Sequence, residues 1–252
     1  PALQTSCNAF FCWGFKAMID RRSKYGSSAN AFEVWKKHLV SMGYGYRLGV
    51  DLPSESRGFL PNAKFYDKFY SEGHWSANTI ISVSIGQGEI LATPLQIANL
   101  SATIANRGWF VTPHVVKEIQ DTVMPPALLE KRYPTVDAHW YGDVAEGMRM
   151  AVLGGTCRRA AIPGIPTAGK TGTAQNPHGK DHSAFMGFAP YEEPRIAVAA
   201  YIENGGWGAT YGVPIGSLVM EKYLTGTIAP ERKAMEEQML KSTLYYAPSG
   251  KK

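Results

Sequence analysis

The chain has 252 residues, 44% hydrophobic and 12% aromatic, enough to bury a sizeable core, which excludes an intrinsically disordered segment. Glycine (26) and proline (16) are over-used, which points to many turns and a substantial β component rather than a helical bundle. The net charge of +5 comes from scattered basic residues; this is a solvated positive surface, not the basic stripe that nucleic acid requires.

Cys7, Cys12 and Cys157 have neither metal-ligand spacing nor the even count of a disulfide framework. No apolar run approaches the roughly 20 residues that span a bilayer, and no secretory signal pattern is present. The chain opens at "PALQTSCNAFF" without an initiator methionine, so a fragment of a longer protein is expected.

The first predicted element is a helix over Asn8 to Asp20, with Phe11, Phe15, Met18 and Ile19 at helical spacing. The aromatic cluster Phe10, Phe11, Trp13 and Phe15 reads as core. A second helix is expected to open at Asn30, paired with Glu33 as a capping box, with Phe32, Trp35 and Leu39 on one face. From Gly43 to Ala63, glycines and prolines predict a long irregular connection.

Thr93, Pro94 and Gln96 predict a helix start, with Leu95, Ala98, Ala102 and Ala105 buried and a stop at Gly108. Asp137 predicts another start, with Trp140, Val144, Met148 and Ala151 inward and an end at Gly154 and Gly155. Strands follow at 167–174, 184–189 and 195–203, then the glycine loop "NGGWGATYG" and a helix from Pro214 to Leu224. Helices followed by consecutive strands give an α+β arrangement with an antiparallel sheet.

Two triplets carry the chemistry. Ser6-Cys7-Asn8 lies just before a helix, and Lys170-Thr171-Gly172 lies on a predicted strand within "TAGKTGTAQ". Each alone is weak; in this order, on a helix and a strand facing a cleft, they match the partner motifs that accompany Ser-x-x-Lys in serine acyl-transfer enzymes. Gly169 and Gly172 are read as leaving a strand edge bare, so that an extended peptide can be added to it.

The chain resembles the C-terminal part of a class B penicillin-binding protein of the penicillin-binding protein 2 type. The similarity also runs through "GYGYRLGVDLPSESRGFLP", "SIGQGEILATPLQIANLSATIANRG" and "DHSAFMGFAPYEEPRIAVAAYIENG", in family order, from Ser6 to about Thr225. It implies the α+β penicillin-binding protein/β-lactamase-like fold, here N-terminally truncated. Residues 1–226 would be the C-terminal part of a transpeptidase domain and residues 227–252 a charged, peripheral tail.

The implied activity is peptidoglycan D,D-transpeptidation through a serine acyl-enzyme, in cell-wall synthesis and cell elongation. The alternatives are β-lactam hydrolysis or a non-catalytic β-lactam sensor on the same fold. The resemblance implies Ser6, Asn8 and Lys170 as candidate catalytic residues and Thr171, Gly172 and Thr173 as candidate substrate-binding residues. Ser6 would pass a proton, Asn8 would orient a lysine and hold the stem peptide, and Lys170 would attract the substrate carboxylate. Thr171 and Thr173 would give hydroxyls to that carboxylate, and the Thr173 N–H would be an oxyanion donor.

The family nucleophile lies in Ser-x-x-Lys, upstream of Ser-x-Asn. The sequence offers that spacing only at Ser249 and Lys252, read as chance, so the acylating serine is expected upstream of this chain. Without that segment, activity is expected to be lost and stability reduced.

No metal or organic cofactor is implied. His178, Asp181 and His182 are interrupted by Gly179 and preceded by Pro177, so His182 reads as a brace for the following strand. Cys7 reads as a small buried filler, and Trp207 as packed against the neighbouring helix. Implied partners are stem peptides ending in D-Ala-D-Ala, β-lactam antibiotics, a SEDS-type glycosyltransferase and the elongation machinery. The implied location is the bacterial inner membrane, reached through an absent N-terminal anchor, with this domain facing the periplasm.

Overall fold

The structure, a computed structural model, describes residues 1–244; the Ser249 and Lys252 spacing lies outside the described residues. In chain order the helices are α1 (Ala2–Thr5), α2 (Asn8–Ile19), α3 (Arg22–Tyr25), α4 (Ser28–Ser41), α5 (Ala63–Tyr70), α6 (Pro94–Ala105), α7 (Pro126–Leu129) and α8 (His139–Gly154). Strands β1 (Ala168–Ala174), β2 (His182–Ala189) and β3 (Ile196–Ile202) follow, then α9 (Gly212–Thr225) and α10 (Lys233–Lys241).

The chain divides into two compact units. One comprises Pro1–Ser6, Leu100–Arg107 and the chain from Ala138 onward; the other comprises Cys7–Asn99 and Gly108–Asp137.

The second unit is built around an aromatic core. Phe15 and Ile19 of α2, Phe32 of α4, Tyr66 of α5 and Trp75 are buried together, with the Phe32 ring 5.3 Å from Trp35 and 5.4 Å from Tyr66, a spacing at which aromatic pairs attract. Phe10 and Trp13, expected in this core, are instead on the exposed side of α2, 61% and 71% accessible.

Capping also differs from expectation. Ser27 is the N-cap of α4, accepting from the Asn30 N–H at 3.1 Å, so the helix starts two residues before Asn30. Glu33 reaches away to accept from the Ala63 N–H at 2.6 Å, where Asn62 caps α5.

The irregular stretch after α4 is held by acceptors rather than by a ladder. Glu55 accepts from the N–H groups of Leu48, Gly49 and Val50, and Gln96 donates to the carbonyls of Tyr46 and Arg57. Thr93 and Gln96 satisfy one another's N–H groups at 3.0 and 3.1 Å, the reciprocal cap read from the sequence. The buried face of α6 is nonetheless polar. Gln96, Asn99, Ser101 and Thr103 are buried, and of the expected stripe only Ala105 is. Gln96 and Asn99 satisfy carbonyls of the irregular backbone, those of Tyr46, Arg57 and Met42, and Ser101 donates to the Gly187 carbonyl of β2.

The first unit holds the three-stranded antiparallel sheet in the order β1-β2-β3. Lys170 faces Met186, Thr171 faces Phe185, and Gly172 faces Ala184, which in turn faces Tyr201. Its core joins Ala151 and Val152 of α8, Phe185 of β2, and Val213 and Met220 of α9. The buried face of α8 is Tyr141, Ala145, Met148 and Val152, with Ala151, displaced from the expected stripe; Trp140 is exposed.

The segment after α9 is not peripheral throughout. Ile228 and Arg232 are buried; Arg232 lies 3.3 Å from the Glu221 carboxylate and donates to Ser217 Oγ.

Candidate active site

Ser6 is placed by close approach of two backbones. A Cβ on Gly147 of α8 would lie 2.8 Å from the Leu3 side chain, and one on Gly155 would lie 2.2 Å from the Gln4 carbonyl oxygen. Only glycine at both positions lets α1 lie against the end of α8, and the Thr156 N–H then donates to that Gln4 carbonyl at 3.2 Å. Ser6 closes α1 in the left-handed conformation, φ 55° and ψ 48°. That conformation is costly for a residue with a Cβ, and such residues cluster at functional sites.

Lys170 extends from β1 to meet Ser6, 164 positions away in sequence, its Nζ donating to Ser6 Oγ at 2.7 Å. Two further bonds go to the Thr171 carbonyl at 2.8 Å and to Thr171 Oγ1 at 3.3 Å. An ammonium has three donors, and here all three end on neutral oxygens. Burial therefore lowers the Lys170 pKa below its ordinary value, with the Cys157 thiol the opposing influence. Burial pushes that thiol up to about 11, so it is neutral at physiological pH and leaves the ammonium without a counter-charge.

Thr171 does not present a free hydroxyl: its Oγ1 donates to Thr156 Oγ1 at 3.1 Å. Thr173 Oγ1 accepts from the Gly208 N–H at 3.2 Å, which ties the glycine loop to β1. The glycines of β1 have a different rationale from the one expected. A Cβ on Gly169 would lie 2.5 Å from the Phe185 ring, and one on Gly172 would lie 3.2 Å from the Ala184 Cβ. The space they leave is filled from within the sheet. The outer edge of β1 has no strand beside it among the described residues.

Asn8 is the exposed first residue of α2 and belongs to the other unit. Cys7 is exposed, not a buried filler, and Trp207 is 75% accessible rather than packed on a helix. His182 Nδ1 accepts from the Asn204 N–H at 3.0 Å and its ring lies 5.4 Å from Tyr201. It begins β2, while Asp181 accepts from the Asn176 N–H; both are spent on bracing the turn. Among the described residues no three His, Cys, Asp or Glu side chains converge as metal ligands would. Thr156 was missed in the sequence, where "GGTC" registers as a helix stop.

The model of the penicillin binding protein transpeptidase domain matches residues 1–221. The chain belongs to this family. Among its relatives, the peptidoglycan D,D-transpeptidase MrdA of Acinetobacter baumannii is 38% identical over 68% of the chain and 28% of the relative. MrdA of Haemophilus influenzae is 32% identical over 79% of the chain and 33% of the relative. The chain thus spans about a third of the length of these curated relatives.

Pseudomonas aeruginosa PBP2, solved in complex with WCK 5153, superposes with TM-score 0.73 at 30% identity, covering 91% of the chain and 48% of that protein. Helicobacter pylori PBP2, solved in complex with MreC, gives 0.69 at 25%, covering 89% and 39%. These likenesses place the chain with the penicillin-binding protein 2 type and its fold.

Proposed function

We propose that the chain supplies the lysine-bearing strand and the Ser-x-Asn turn of a peptidoglycan D,D-transpeptidase. The single observation that carries this reading is the Lys170 to Ser6 contact, a cation and a hydroxyl brought together from opposite ends of the transpeptidase match. In this reading a serine of Ser-x-x-Lys, on a segment of the longer protein that precedes Ser6, attacks the carbonyl carbon of the penultimate D-alanine. The attacking serine gives its proton to the lysine of Ser-x-x-Lys as the serine oxygen to carbon bond forms; the amide C–N bond breaks, the departing D-alanine takes a proton from Ser6 Oγ, and that lysine's proton replaces it. An amine from a neighbouring stem peptide then attacks the ester: the new amide C–N bond forms, the serine oxygen to carbon bond breaks, and a proton of the amine passes to the serine oxygen.

Lys170 supplies positive charge beside Ser6 and attracts the terminal carboxylate. Asn8 orients the lysine of Ser-x-x-Lys and the substrate amide. The outer edge of β1, which has no strand beside it among the described residues, takes the substrate as an added strand at Gly172 and Thr173, with the Thr173 N–H directed at the oxyanion. Thr171 donates to the carboxylate once its proton leaves Thr156. The MreC complex of Helicobacter pylori PBP2 and a related structure described as a peptidoglycan synthase complex support a place in the elongation machinery beside a glycan polymerase. Among the described residues no helix is long and apolar enough to cross a membrane; the reading assigns the anchor to the rest of the longer protein and this domain to the periplasmic side.

The test is release of D-alanine from a D-Ala-D-Ala pentapeptide by the longer protein in the presence of an acceptor amine. Lys170→Ala and Ser6→Ala are expected to reduce the rate at least 100-fold. Variants that retain the wild-type rate would remove the site from the reaction.

A further inference from the structure

The Ser6–Lys170 pair has a common support that neither motif contains. Thr156 follows the C-cap of α8, and it is bonded to both sides of the pair. Its backbone N–H holds the Gln4 carbonyl, two residues before Ser6. Its Oγ1 accepts the hydroxyl proton of Thr171, next to Lys170.

The direction of that second bond is consequential. Lys170 Nζ donates to Thr171 Oγ1, so the Thr171 hydroxyl must turn its own proton elsewhere, and Thr156 is where it goes. The result is a hydrogen-bonded series, Ser6, Lys170, Thr171, Thr156, in which the Lys170 bond and the Thr156 acceptor together set the orientation of the Thr171 hydroxyl.

We propose that Thr156 is a positioning residue that fixes the distance between Ser6 and the Lys170 ammonium, holding one through its backbone and the other through its hydroxyl. It touches no substrate; it acts by keeping the Thr171 lone pair, rather than its proton, turned toward Lys170. Loss of the Thr156 hydroxyl removes the acceptor that polarises the Thr171 hydroxyl, so Thr171 Oγ1 becomes a weaker acceptor for the ammonium. One of the three acceptors of Lys170 is then weakened while the group stays half-buried, and its charged form becomes harder to hold. The groups facing Lys170 are Ser6, Thr171 and, behind them, the Cys157 thiol, which is neutral over the range concerned.

The consequence for turnover rests on the transpeptidase reading; the geometry does not, and it is testable on the 252-residue chain itself. Lys170 is titrated by the NMR shift of its ε-carbon, assigned through the signal lost in Lys170→Met. Thr156→Val is expected to move the midpoint downward and Thr156→Ser to leave it unchanged. Thr156→Ala serves in place of valine if Thr156→Val gives no cooperative melt.

A wild-type midpoint in the hydroxyl-free variant would overturn the proposal, as would an equal shift in the serine variant, which would assign the effect to the methyl group. In the longer protein, Thr156→Val is expected to slow acylation by a fluorescent penicillin roughly tenfold in the maximal rate rather than in KM. An unchanged acylation rate would overturn the catalytic part of the proposal. If the wild-type longer protein is not acylated at all, the transpeptidase reading fails, while the titration still decides the role of Thr156.

Discussion

Lys170 is a half-buried cation whose three hydrogen-bond partners are all uncharged, and that combination fixes how pH acts on it. Burial disfavours the ammonium, so the folded pKa lies below the ordinary 10.5 that the unfolded chain retains. Between the two values the unfolded state binds more protons, and stability rises with pH. The cost is therefore full below the folded pKa and fades as pH approaches 10.5. Lys170→Met, which has no proton to lose, is expected to gain most over wild type at pH 7 and least near pH 10.5, measured by urea unfolding at both. A constant difference would mean that Lys170 titrates normally. Ser6 and Lys170 were legible because each lies in a triplet with a recognisable neighbourhood. Thr156 was not, because its role depends on a hydroxyl meeting Thr171, 15 positions away, and no local pattern marks such a meeting.

At the scale of elements, Phe185 organises β1, β2 and α9. Cβ atoms on Gly169, Gly187 and Gly216 would lie 2.5, 2.6 and 2.4 Å from its ring. Gly216→Ala is expected to destabilise by about 1–3 kcal/mol through overpacking, although alanine is intrinsically the better helix former by about 1 kcal/mol. Gly14, in the middle of α2, has nothing within 4 Å of its absent Cβ, and Gly14→Ala is expected to stabilise by about 0.5–1 kcal/mol. Urea midpoints of the two variants should move in opposite directions; a shared direction would discount the Phe185 contact.

The existence of these elements was readable from turn residues and period, and the strands came within a residue or two of their bounds. Burial within the helices was not. The face of α6 is polar because it serves carbonyls of irregular backbone, and Trp140 outweighed Tyr141 in the pattern of α8 although Tyr141 is the buried one. Asn30 and Glu33 have capping chemistry, but Glu33 spends it on a different helix, a partnership 30 residues long.

For the molecule as a whole, the two units each have a core of their own, and the C-terminal segment is part of the first rather than a trailing tail. Arg232 and Glu221 are both nearly inaccessible, and burial lowers the Arg232 pKa while Glu221 opposes the change. Removing one partner leaves an uncompensated buried charge, so Arg232→Met is expected to cost about 3–5 kcal/mol, while adding Glu221→Leu should restore most of it. Denaturation of the two variants checks this, and an unrecovered double variant would show that the pair is worth more than its replacement. Composition and element order disclosed the α+β class, but the burial of Arg232 depends on Glu221 and Ser217, which a sequence reading of charge assigns to solvent.

The proposed role of Ser6 and Lys170 in acyl transfer to a serine is tested most directly by intact-mass spectrometry of the longer protein after incubation with benzylpenicillin, followed by peptide mapping. One penicilloyl adduct is expected on the serine of Ser-x-x-Lys, formed at least 100-fold more slowly in Lys170→Ala. An adduct that forms at the wild-type rate in that variant, or that maps to another residue, would contradict it.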